Sequence, residues 1–213
     1  AIFLPSRQPG VLARLQEKAA GILMDVDGNP PPELGVPRID PLAARPADVD
    51  RWKPLERDAW VAEFLTSGTT GEAKTVPKRL RHLDDEVAVL EDRFARELSA
   101  DTRVFATVSP QHIYGLLFRV LWPLCSGRAF WRDPVLHPEE FLPSMAAEVD
   151  CSLATTPALL KSPKLLRGLE PLAGRCRAVF SSGGLLQGDT AVAVHSVLGV
   201  APFEILGSTE TGG

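Results

Sequence analysis

Cysteine is scarce: Cys125, Cys151 and Cys176 are the only three in 213 residues, odd in number, widely spaced and without a C-x-x-C pair. That pattern suggests neither a disulfide framework nor a zinc knuckle, and the three read as buried thiols of a reduced, cytoplasmic protein. No basic block occurs either; 23 Lys plus Arg are interspersed with 27 Asp plus Glu, for a net charge of -4. Binding a phosphate backbone normally needs clustered positive charge, so nucleic acid is not an expected partner. Long apolar runs are missing as well. The stretch from residue 113 to 124 is broken by Arg119 and Pro123, and it falls short of the roughly 20 residues that span a bilayer. No signal peptide is visible, and no internal repeat. The opening Ala1-Ile2-Phe3-Leu4-Pro5 lacks an initiator Met and reads as the middle of a domain. Gly212-Gly213 follow directly on an informative acidic segment, so the expectation is a piece of a longer protein, with surfaces left open for self-association.

With 45% apolar residues the chain has enough material for one large core or two small ones. Residues 1–4 are a short strand candidate, and Leu12, Leu15 and Ala19 recur at helical spacing. Residues 25–54 are crowded with Pro and Gly and read as a linker or surface excursion. Expected units are therefore a short N-terminal α/β piece with its Pro-rich linker over 1–58, and a core subdomain over 59–213. In the second unit, 60–65 is a strand candidate, and Leu80, Leu83, Val87, Leu90, Phe94 and Leu98 form an amphipathic helical stripe. Strand candidates at 104–108, 129–131, 152–155, 178–181 and 203–206 then alternate with helical stretches at 113–124, 138–147, 158–160 and 190–198. Such alternation predicts an α/β fold with mostly parallel sheets flanked by helices.

Chemistry concentrates where the first of these strands ends. Thr66-Ser67-Gly68-Thr69-Thr70-Gly71-Glu72-Ala73-Lys74 packs four hydroxyl residues, two glycines and a lysine into nine positions. Glycines let the backbone turn sharply and bring N–H groups to an anion, hydroxyls donate further hydrogen bonds, and lysine neutralises charge. A di- or triphosphate requires that set. The spacing is not that of a Walker A loop, since Gly68 and Gly71 lie three apart and Lys74 follows Ala73. A P-loop kinase or NTPase is the weaker alternative on that ground, and a non-catalytic nucleotide-binding or scaffolding module is a second one.

The nine residues resemble the T-S-G-[ST]-T-G-x-P-K signature of the adenylate-forming superfamily: acyl- and aryl-CoA synthetases, adenylation domains of nonribosomal peptide synthetases, and luciferase-like AMP-binding enzymes. Ala73 stands where that signature has Pro. Three further segments match in order. Ser109-Pro110-Gln111-His112-Ile113-Tyr114-Gly115 is similar to the segment with a His three before a Gly; on its own, His112 reads as a histidine opening a helix. Phe180-Ser181-Ser182-Gly183-Gly184 resembles the S-G-G stretch beside adenine. Gly207-Ser208-Thr209-Glu210 resembles the G-[ST]-T-E stretch, with Leu206 in place of the usual aromatic. The resemblance covers residues 60–213 well and 1–20 more loosely.

It implies a partial AMP-binding N-terminal domain, with the C-terminal lid domain absent, and an AMP-forming acid–thiol ligase acting on ATP, Mg²⁺ and a carboxylic acid. The acyl group would pass to CoA, or to a phosphopantetheine arm if an acyl carrier protein is the partner. By the same resemblance Thr66, Ser67, Gly68, Thr69, Thr70, Gly71 and Lys74 grip the phosphates. Ser182, Gly183, Gly184, Gly207 and Ser208 hold the AMP part. Thr209 touches the α-phosphate, Glu210 holds Mg²⁺ with Thr66 as a second ligand, and His112 contributes to the floor of the acid pocket. Tyr114, Leu116 and residues 155–159 are candidate lining of that pocket. The isolated chain is expected to be catalytically weak or dead.

Overall fold

The structure is a computed structural model that describes residues 2–3, 22–23, 38–39, 54–67, 73–132 and 137–212. Its largest sheet has four parallel strands, β6 (Arg103–Ala106), β7 (Cys151–Thr155), β8 (Cys176–Ser181) and β9 (Phe203–Glu204), in that spatial order. A second sheet joins β1 (Ile2–Phe3) in parallel to β4 (Trp60–Ser67), and β4 in antiparallel fashion to β5 (Ala73–Arg79). The two-residue strands β2 (Ile22–Leu23) and β3 (Arg38–Ile39) pair in parallel. The α/β class read from the alternation holds, with one antiparallel pair inside it.

Most elements fall where their apolar spacing puts them. Helix α1 (Leu80–Phe94) buries Leu83, Leu90 and Phe94 from its three-and-four stripe, and Leu98 is buried just beyond its end. Helix α2 is composite: an α-turn Ile113–Gly115, a π-helical stretch Leu116–Leu121 and a second α-turn Trp122–Cys125. Pro123 has no N–H for the preceding turn, and the Trp122 N–H reaches back five residues to Leu117 O. Helices α3 (Pro138–Ala147), α4 (Pro157–Leu160), α5 (Pro163–Leu169) and α6 (Gly188–Leu198) follow.

Strands β6, β7 and β8 each serve two cores, because successive side chains point to opposite faces. Leu153 and Val179 pack with Phe141, Leu165, Leu169 and Val194 from α3, α5 and α6. Ala154, Ala178 and Phe180 pack on the other face with Phe94 of α1 and Phe118 and Trp122 of α2. Phe94 meets Phe180 edge-on, ring centres 4.9 Å apart, an arrangement the ring quadrupoles favour. A small third core joins Ala62 and Phe64 of β4 to Leu116 of α2.

Several expectations need correction. Cys125 is exposed, at the end of α2, whereas Cys151 and Cys176 are buried opposite each other on β7 and β8. Leu116, a candidate for lining the acid pocket, is buried against Ala62 and Phe64 of the hairpin core. The strand expected at 129–131 is a single bridge between Phe130 and Val104. Strand β5 and helix α5 were not expected as elements. The helix expected around Leu12 to Ala19 lies outside the described residues. Among the described residues no helix is long and apolar enough to cross a membrane.

Candidate nucleotide and acid site

In a parallel α/β sheet the crevice outside the carboxyl ends of the strands is where ligands bind. Here those ends carry the Ser182-Gly183-Gly184 segment after β8 and residues 205–212 after β9. Ser182 ties the two together: its Oγ donates to Ile205 O at 2.8 Å, and Ile205 N donates to Ser181 O. Gly183 has φ of 83°, a left-handed conformation that a side chain resists. Gly183, Gly184 and Leu206 are exposed at this edge.

The acidic turn is closed on itself. Ser208 N donates to Gly212 O at 3.0 Å and Gly212 N to Ser208 O at 2.9 Å, while Thr211 N donates to Ser208 Oγ. Thr209 and Glu210 sit at its tip, Thr209 half-buried and Glu210 exposed. Gly212 has φ of 90° and lies so close to α1 that a Cβ would stand 1.7 Å from Glu86 Oε1.

The hairpin side is built from strand register. Thr66 faces Lys74, Phe64 faces Val76 and Ala62 faces Lys78. Opposed residues of an antiparallel pair share a face, as do alternate residues along a strand. Thr66, Lys74 and Lys78 therefore share the face whose Phe64 and Val76 pack toward α2. The Thr66 hydroxyl reaches Lys74 O at 3.5 Å. Gly68, Thr69, Thr70 and Gly71 lie outside the described residues. Lys78 connects this face to the acidic turn, its Nζ donating to Glu210 O at 3.4 Å.

Two cavities flank that connection. One, of about 270 Å³, lies between α1, α2 and the chain leaving β9; Leu90, Tyr114 and Leu117 supply apolar wall, and Ser182, Gly207 and Ser208 a polar edge. The other, of about 330 Å³, is lined by Lys78, His82, Asp85, Glu86, Glu210 and Thr211. Glu86 and Val89 of α1 border both. Tyr114 is locked in place: its hydroxyl donates to Thr155 O at 3.2 Å and Phe180 O at 3.0 Å. Burial pushes this phenol far above the ordinary tyrosine range, so it stays protonated as a donor.

His112 caps the start of α2 in extended conformation and is exposed; its carbonyl accepts from Leu116 N at 2.8 Å. It is not among the residues lining the two cavities. Ser182, Gly207, Ser208 and Glu210 are thus gathered on two adjoining cavities, whereas Thr66 and Lys74 line neither and share only the hairpin face that bears Lys78. Lys78 and Glu86 escaped the sequence reading. The four-residue interval from Lys74 to Lys78, an even number, would have put both on one face had the segment been read as a strand.

A family model of AMP-binding enzymes matches residues 7–213. Among solved structures, ATP-bound MatB from Rhodopseudomonas palustris is 25% identical, with a TM-score of 0.61 over 73% of this chain and 30% of that one. A malonyl-CoA ligase with methylmalonyl-CoA and AMP bound is 22% identical, TM-score 0.76, covering 93% and 44%. The Brucella canis acyl-CoA synthetase is 19% identical, TM-score 0.70, covering 98% and 42%; at such identities the likeness of these last two concerns the fold. The chain therefore spans less than half the length of each of the three. A search of curated proteins found no match. The four ordered motifs, the parallel sheet with its flanking helices and a family match over nearly the whole length lead to one conclusion: the chain belongs to the AMP-binding enzymes, the adenylate-forming superfamily.

Proposed function

We propose that the protein activates a carboxylic acid with ATP and passes the acyl group to a thiol of CoA or of a carrier protein's phosphopantetheine. In the first half-reaction a carboxylate oxygen bonds to the α-phosphorus of ATP, and the bond from that phosphorus to the pyrophosphate oxygen breaks. In the second, the thiol sulfur bonds to the acyl carbon, the bond to AMP breaks, and the thiol proton is released. Two anions must be brought together in the first step, so the task is positioning and charge neutralisation.

Thr66, Ser67, Thr69, Thr70 and Lys74, with the backbone at Gly68 and Gly71, hold the β- and γ-phosphates. Ser182, Gly183, Gly184, Gly207 and Ser208 line the AMP portion, and Thr209 meets the α-phosphate. His112 and Tyr114 stand at the acid end. The donor set fits Mg²⁺: this ion takes one or two protein oxygens and completes its shell with phosphate and water, and Glu210 offers an exposed carboxylate at a turn tip, with the Thr66 hydroxyl as second candidate. Bound there, the ion would offset phosphate charge.

The observation that carries the reading is the attachment of the Glu210 turn to the hairpin face that bears Thr66 and Lys74. The test offers the complete protein ATP, Mg²⁺ and a panel of fatty, aryl and amino acids, following pyrophosphate exchange and hydroxamate formation. Exchange with at least one acid is expected, reduced by about 100-fold in Lys74→Ala and in Glu210→Ala. ATP binding without exchange for any acid would contradict it and favour a non-catalytic nucleotide-binding role, which exposed Leu206, at 76%, would suit by lacking an aromatic stack. The 213-residue chain alone is expected to show weak turnover or none.

A further inference from the structure

Lys78 is 5% exposed. Lysine is rarely buried to that degree, because removing an ammonium from water is costly unless other charges and acceptors replace the water. Asp85, Glu86 and Glu210 line the same cavity, with His82 as the other titratable group there. Asp85 is already engaged by Arg57, Oδ1 to Nη2 at 2.6 Å. The ammonium donates to the main-chain oxygen of Glu210.

Where that bond falls is informative. The Ser208–Gly212 bridge closes the turn internally, so the turn needs separate contacts to fix its orientation. On one side it follows from the Ile205 pairing with β8. On the other it rests against Lys78 of β5 and, through Gly212, against Glu86 of α1. Lys78 lies four residues along the strand from Lys74, a span of about 13 Å at strand rise.

We propose that Lys78 is a positioning residue of the nucleotide site, holding the Ser208–Gly212 turn on β5 so that the acidic turn and the paired Thr66 and Lys74 of the hairpin keep a fixed separation. The proposal rests on the function given above, extending it to a residue outside the motifs. It implies that ATP·Mg²⁺ meets a site whose two halves are already in register. Loss of the tie then weakens use of the metal–nucleotide complex more than it weakens the fold.

The experiment compares Lys78→Met, Lys78→Gln and Lys78→Arg in the complete protein by hydrogen–deuterium exchange and by pyrophosphate exchange at varied Mg²⁺ and ATP. Exchange across residues 206–212 is expected to rise about tenfold in Lys78→Met or Lys78→Gln, with the β7 and β8 peptides unchanged. The kcat/KM for ATP is expected to fall about 10- to 100-fold, with a higher half-saturating Mg²⁺ and partial recovery in Lys78→Arg. Unchanged exchange at 206–212 in a folded neutral variant would overturn the proposal. So would uniform loosening of the whole sheet in every variant, Lys78→Arg included, because it would make the lysine a general stabiliser. The two readings fail separately: selective loosening at 206–212 in a protein that adenylates no acid would leave the tie standing and remove the activity.

Discussion

A methyl group on residue 115 would stand 1.9 Å from the carbonyl oxygen of Ser109, and backbone atoms cannot swing aside as a side-chain end can. Gly115 therefore lets the chain from Ser109 to Tyr114 fold back on the first turn of α2, and so sets where His112 and Tyr114 emerge. Gly115→Ala is expected to cost about 1–3 kcal/mol, as overpacking does, measured by urea unfolding; unaltered stability would show that the loop can shift freely. Tyr114→Phe removes the donor shared by Thr155 O and Phe180 O. About 1–3 kcal/mol is expected for leaving buried acceptors unmet, read in the same unfolding assay, and no loss would mean that water replaces the hydroxyl.

At the scale of elements, α1 is fixed to the end of α2 by one carboxylate. Glu91 takes Arg128 in a two-pronged contact at 2.5 and 3.0 Å and the Trp122 indole N–H at 2.7 Å. The Arg128 hydrogen bond, aided by Trp122 and opposed by partial burial, holds the Glu91 carboxyl below its usual range. A group whose folded pKa is depressed contributes stability above its unfolded pKa, about 4.3 for glutamate, and that contribution is lost as pH falls through the folded value. The difference in Tm between wild type and Glu91→Gln is therefore expected to be constant near neutral pH and to shrink progressively below about pH 4. A gap independent of pH down to acid unfolding would contradict this. Exposed ion pairs such as Arg81 with Asp58 are expected to matter far less, being well solvated.

Across the whole molecule, legibility in the sequence followed burial pattern. Helix α1 was readable because Leu83, Leu90 and Phe94 face one core at helical spacing, and β7 and β8 because short apolar runs are buried on both sides. Strand β5 was hidden: among the described residues it is an edge strand, where Pro77 is tolerated although it has no N–H to donate, and its lysines look like a solvated turn until the register with β4 puts Lys78 under cover. Helix α5 was hidden by its shortness and by Gly168, whose missing side chain makes room for Leu142 of α3. Cys125 was misread because rarity of cysteine says nothing about which face of a helix end it takes. The site motifs were legible as segments, yet their mutual placement was not, since it depends on strand order and on the Lys78 contact between hairpin and turn.

That placement is what the proposed function depends on, and a double-mutant cycle tests it. Lys74→Ala, Glu210→Ala and the double variant of the complete protein would be compared by kcat/KM for ATP in pyrophosphate exchange. If both residues act on one metal–triphosphate complex, their effects are expected to be strongly non-additive, with a coupling of about 0.5–3 kcal/mol. Strictly additive losses would mean that the two side chains serve separate ligands, and would contradict a shared nucleotide site.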